Sequence, residues 1–251
     1  MDEISRIATA VIALDPRARQ HRWTSLTYCI VDAVWSIGSD YEKVVIKMVR
    51  NVASVFDDES PAITAKLALP TDPVPLKSFL ERFQHTDELV MVTNHQITSP
   101  RHGTLKAEVV RQHAERLHDA NVDTLAEAQE LLDDPARAEE VDHALRGLPG
   151  DGQNGVRRGY LWMLVGDENR VKPDRMVLRW LLKQGSKARD PATAALLLRQ
   201  VAELLTESGR PTTPWEVDHA IWLDQKSQSN QVHQILPGRE VQVHRHSRTR
   251  R

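Results

Sequence analysis

The residues with the clearest chemical potential lie between Leu145 and Leu181. Leu148-Pro149-Gly150-Asp151-Gly152 sets two glycines one residue apart, a spacing that lets the backbone turn tightly. Such a turn leaves amide N–H groups free at the start of the next helix, and these attract phosphate. Arg157 and Arg158 follow, and then Val171-Lys172-Pro173-Asp174-Arg175, where Asp174 opens a further helix. An aspartate there is an N-cap. It is also a carboxylate held in a fixed direction, as a catalytic base or a stabiliser of positive charge must be. The two roles are compatible, and the residues alone leave both open. They also leave the glycine turn open between a phosphate grip and a plain helix–helix connection.

Helices must position these groups. Residues 25 to 37 place Leu26, Cys29, Ile30, Ala33, Val34 and Ile37 on one apolar stripe. Ser39 with Glu42, Thr124 with Glu127, and Thr213-Pro214 with Glu216 read as capping boxes, and Asp190-Pro191 as another helix start. Further helices fit residues 4 to 14, 75 to 84, 87 to 93, 104 to 119, 136 to 146, 156 to 165 and 174 to 184. Sustained apolar–polar alternation is missing. The expected fold is all-α. Breaks fall at LPTDPVP (69–75), TNHQITSPRHGT (93–104) and RGLPGDGQNG (146–155). After about 225 the pattern fades into QKSQSNQ, so 225–251 is expected to be a flexible basic tail.

Composition narrows the function. The 251 residues carry 33 Lys+Arg against 35 Asp+Glu, so the chain is no bulk polycation. The charge is uneven: residues 239 to 251 are +4, leaving −6 elsewhere. The single cysteine, Cys29, excludes a disulfide framework, a Cys-rich zinc site and an iron–sulfur cluster within the chain. It also fits a reducing cytoplasm. No apolar run approaches the roughly 20 residues of a membrane span, and the acidic start lacks the basic region of a signal peptide. No metal or cofactor is expected; His244 and His246, two residues apart, suggest no specific site.

LPGDG, an apolar helix and Asp174 in this order resemble the helix-hairpin-helix DNA glycosylase superfamily, the endonuclease III-like group. The likeness covers about residues 20 to 185. Leu105 to Val110 is similar to the segment opening the helix two before the hairpin, and SLTYCIVDAVWSIGSDYEKV (25–44) to the paired helices. The resemblance implies a two-lobed helical fold with a DNA-binding cleft. Residues 1 to 24 with 185 to 224 would form one lobe and 25 to 184 the other, with the hairpin motif at about 136 to 165. Asn154 stands where strand-cleaving members carry lysine, and the spacing suggests two inserted hairpin residues.

The implied activity is a monofunctional DNA N-glycosylase without lyase activity. It would flip a damaged or modified base from double-stranded DNA and use Asp174 to assist attack by water. The protein would be a monomer, cytoplasmic and nucleoid-associated. Gly150, Gly152, Lys106, Arg157, Lys172 and Arg175 would hold DNA. Tyr28, Asp32 and Trp35, spaced i, i+4, i+7, would line the base pocket, and His102 would be a wedge. Tyr28 and Trp35 also read as core, and Trp180, Trp215 and Trp222 as core or inter-helix anchors. A non-catalytic DNA-binding protein on the same scaffold is the competing reading. The −6 balance outside the tail counts mildly against tight non-specific binding.

Overall fold

The computed structural model describes residues 2–152 and 155–235. Asn154 and residues 236–251, with His244 and His246, lie outside the described residues. The fold is mostly helical. Among the described residues no helix is long and apolar enough to cross a membrane.

The chain order is α1 (Glu3–Ile12), β1 (His21–Trp23), α2 (Leu26–Trp35), a π-helical turn (Tyr41–Val45), α3 (Ile46–Val55), β2 (Ala62–Thr64), α4 (Leu76–Arg82) and α5 (Thr86–Val92). Then come α6 (Lys106–Asp119), α7 (Leu125–Leu132), α8 (Pro135–Ala144), α9 (Val156–Val165), α10 (Arg175–Lys183), α11 (Pro191–Glu207) and α12 (Pro214–Ile235). The β1–β2 pair is antiparallel, with Arg22 opposite Ile63, and was not expected from the sequence. Only three residues per strand leave no alternation to detect.

Two apolar cores form. The larger runs from Leu26 to Val165 and is built around α2, whose ten residues are all buried. α2 packs on α3, α6 and α9, so no side of it faces water. The second core joins α1 to α10, α11 and α12 through Ile7, Val11, Leu198, Val201, Val217 and Ile221. α10 sits in this second core through Val177, Trp180 and Leu181, not in the lobe of residues 25 to 184. α12 continues to Ile235, so residues 225 to 235 are helix where a flexible tail was expected. The polar run QKSQSNQ contains neither Pro nor Gly to break the helix.

Local chemistry sets the helix starts. Thr124 and Glu127 form the expected reciprocal box, and Asp190 caps α11 ahead of Pro191. Ser39 does not cap. Asp40 does, accepting from Lys43 N at 2.9 Å, while the Ser39 hydroxyl turns inward to Gln96 and Lys106. The proline-rich break at 69–75 acts as a clamp: the Asp72 carboxylate accepts from Leu26 N at 3.0 Å and Leu125 N at 2.8 Å, capping two helices at once.

Candidate functional site

An open cleft of about 1560 Å³ runs between the two cores. Its first wall comes from the larger core. Trp23, Ser36, Tyr41 and Tyr160 face the cleft, and behind them lies Asp32, fully buried. Trp23 Nε1 (2.9 Å) and the Tyr41 hydroxyl (2.8 Å) donate to Asp32 Oδ2. The Ser36 hydroxyl (3.0 Å) and the Tyr160 hydroxyl (3.1 Å) donate to Oδ1. Burial pushes the Asp32 carboxyl up, and the donors from Trp23 and Tyr41 pull it back.

The glycine hairpin borders this wall. Gly150 and Gly152 both hold left-handed backbones, φ +87° and +78°. A Cβ on Gly150 would lie 2.7 Å from Ile37 Cδ1, so the turn packs directly against the residues after α2. Gly152 and Arg157 reach the cleft. Arg158 does not act on the surface: it pairs with Asp142 and Asp151 inside the hairpin.

The floor is the connection from α9 to α10. Lys172 places its ammonium 3.4 Å from the centre of the Tyr160 ring. Burial first, then the charge of Arg157, pushes this amine down to about 8. Asp174 caps α10, its Oδ1 accepting from Met176 N at 2.7 Å and Val177 N at 3.2 Å. Two backbone donors fix the direction of this carboxylate at the cleft.

The opposite wall is α12, whose cleft-facing side chains form a ladder. The Arg19 guanidinium lies 4.4 Å from the Trp215 ring centre. Trp215 stacks on His219 at 4.6 Å, and His219 on Trp222 at 5.8 Å. Lys226 closes the ladder 4.9 Å over Trp222 and pairs with Glu42 at 2.7 Å, tying α12 to the first wall. Burial first, then the two flanking cations, pushes His219 down to about 4, so its ring is neutral at pH 7. Asp218, on the same helix face, lines the cleft; it is 5% exposed, and its buried Oδ1 has no hydrogen-bond partner among the described residues. Burial first, and Asp174 second, push its carboxyl up to about 7; the Lys172 ammonium and backbone N–H oppose them.

The cleft thus gathers Gly152, Arg157, Lys172, Asp174 and Arg175 of the residues singled out in the sequence. Others fall elsewhere. Tyr28 is buried, donating to Asp58 at 2.8 Å, and Trp35 is buried, donating to Asn94 at 3.2 Å. With Asp32 they share a face of α2, but that face is enclosed, so none of the three borders the cleft. Lys106 is 1% exposed and donates to the Trp35 and Ile37 carbonyls, Ser39 and Gln96. It closes the end of α2 and cannot reach a phosphate. His102 is exposed on a loop with φ +57°, away from the cleft lining. Among the described residues no group of three His, Cys, Asp or Glu could hold a metal ion.

The ladder and Asp218 were missed. Trp215, Asp218, His219, Trp222 and Lys226 are spaced i, i+3, i+4, i+7, i+11, a single helix face that the sequence does display. A family model described as "Domain of unknown function (DUF8548)" matches residues 4–226. No curated protein and no solved structure matches the chain.

Proposed function

For this chain, which belongs to the DUF8548 family, we propose a monofunctional DNA N-glycosylase activity on a damaged or modified base. The observation that carries this reading is Asp174. Its carboxylate is oriented by two backbone N–H groups at the floor of an open cleft that the glycine hairpin and Arg157 also border. Cleaving a base from its sugar gives C1′ oxocarbenium character, and a fixed carboxylate beside that carbon stabilises the charge and orients the attacking water. Arg157, Lys172 and Arg175 supply positive charge around it for the phosphates of the flipped nucleotide. Trp222 and Tyr160 offer aromatic surface for the extruded base.

The test is an excision screen. Duplexes carrying uracil, hypoxanthine, 8-oxoguanine, alkylated purines or modified cytosines are incubated with the protein and then treated with hot alkali. The expected result is alkali-dependent strand breaks on at least one duplex, reduced by about 100-fold or more in Asp174→Asn. Breaks without alkali would point to an amine nucleophile instead. If no duplex breaks while wild type and variant bind DNA equally, the scaffold only binds and the proposal fails.

A further inference from the structure

We infer that Asp218 is the acid of this site, the group that hands a proton from Oδ1 to the departing base while Asp174 serves the sugar and the water. The inference rests on the glycosylase reading above. Its footing is the contrast between the two carboxylates. Asp174 spends an oxygen on two backbone donors. Asp218 is 5% exposed, lines the same cleft and leaves Oδ1 without a hydrogen-bond partner among the described residues. A buried, unpartnered carboxyl oxygen is costly unless it carries a proton or meets a ligand.

The charged groups around it come from the α9–α10 connection, α9, α10 and α12. Lys172 and Asp174 approach from the α9–α10 connection. Arg157 on α9 and Arg175 on α10 also line the cleft. On α12 itself the neighbours are His219, held neutral at pH 7, and Lys226 at the ladder's end. Burial and the adjacent Asp174 hold the Asp218 carboxyl up at about 7, so near neutrality both its protonated and its ionised forms are present. Two neighbouring carboxyls whose surroundings differ in this way divide into an acid and a base.

The step balances. The bond from C1′ to the base nitrogen breaks, and its electron pair stays on the base. A ring nitrogen or carbonyl oxygen of the base takes the proton from Asp218. Water oxygen bonds to C1′, and its proton passes to Asp174. The products are a free base and an abasic sugar; Asp218 then regains a proton from solvent and Asp174 returns one. The substrate class follows. The site suits a neutral base with an acceptor atom, because a base already cationic through alkylation leaves without being protonated.

The experiment uses the full chain in single-turnover excision from pH 5 to 9. The probes are duplexes carrying uracil or hypoxanthine as neutral bases and 7-methylguanine as the cationic one. For wild type on a neutral base, the rate should fall about tenfold per pH unit above about 7. Asp218→Asn should lose about 100-fold or more at pH 6.5 and lose that pH dependence, with Asp218→Glu recovering part of both. Its loss on 7-methylguanine should be at least tenfold smaller. A neutral-base rate and profile unchanged in Asp218→Asn overturns the inference and leaves the glycosylase reading standing. So does an equal loss on neutral and cationic bases, or wild-type excision confined to the cationic one. No excision by wild type on any duplex overturns both.

Discussion

Asp32 and Asp218 are both carboxylates removed from water beside the same cleft, and they are treated in opposite ways. Asp32 receives four side-chain donors, two on each oxygen, from β1, the end of α2, the π-helical turn and α9. Asp218 has an oxygen that receives none. The first is a junction that holds four segments of one wall in register. The second, on the wall opposite, keeps one oxygen without a hydrogen-bond partner among the described residues. Burial alone therefore does not distinguish a structural carboxylate from a chemical one; the count of donors does.

Removing the junction is the strongest way to break this comparison. Asp32→Ala leaves the Trp23, Tyr41, Ser36 and Tyr160 donors unanswered, and unfolding by denaturant should show a loss of about 3–5 kcal/mol. A loss under about 1 kcal/mol would mean that the junction is dispensable.

Asp218 should respond with the opposite sign. Burial first, and Asp174 second, hold its carboxyl up at about 7 in the folded chain, against an ordinary value of 3.8, so the folded chain holds an extra proton between those values. Wild-type stability therefore falls as pH rises through that window, and Asp218→Asn has no such loss. The variant should match wild type near pH 4 and exceed it by on the order of 3 kcal/mol at pH 8, read from Tm or denaturant midpoints. A difference that stays constant with pH would place Asp218 in the same class as Asp32.

The smallest effect sharpens the first wall alone. Tyr160→Phe keeps the ring under Lys172 but removes one of four donors, and should cost about 1 kcal/mol. A cost near that of Asp32→Ala would show that Tyr160 carries the junction by itself.

The contrast also marks what was legible in the sequence. The helices and most of their starts were, because capping residues act over three or four positions and apolar spacing is local. Asp174 was legible because its cap and its preceding proline lie side by side in the chain. The α2 residues misled. Tyr28, Asp32 and Trp35 do share a face, but periodicity cannot show that α2 is surrounded on every side. Lys106 read as a surface cation because its four acceptors lie as far as 71 residues away. The ladder on α12 was written in the spacing, yet two tryptophans in an amphipathic helix look like core until the fold shows that both line a cleft. The upward push on the Asp218 carboxyl had no local signal, since it depends first on burial in the folded chain and then on Asp174, 44 positions earlier.

The ladder has an optical consequence. Of six tryptophans, Trp23, Trp215 and Trp222 border the cleft, while Trp35, Trp162 and Trp180 are sealed in the cores. Half of the indoles therefore border the place where a guest would sit, and half are insulated from it. Collisional quenchers divide the two populations in the empty protein. Occupancy of the cleft then reads out as a change confined to the quenchable half, with no label attached.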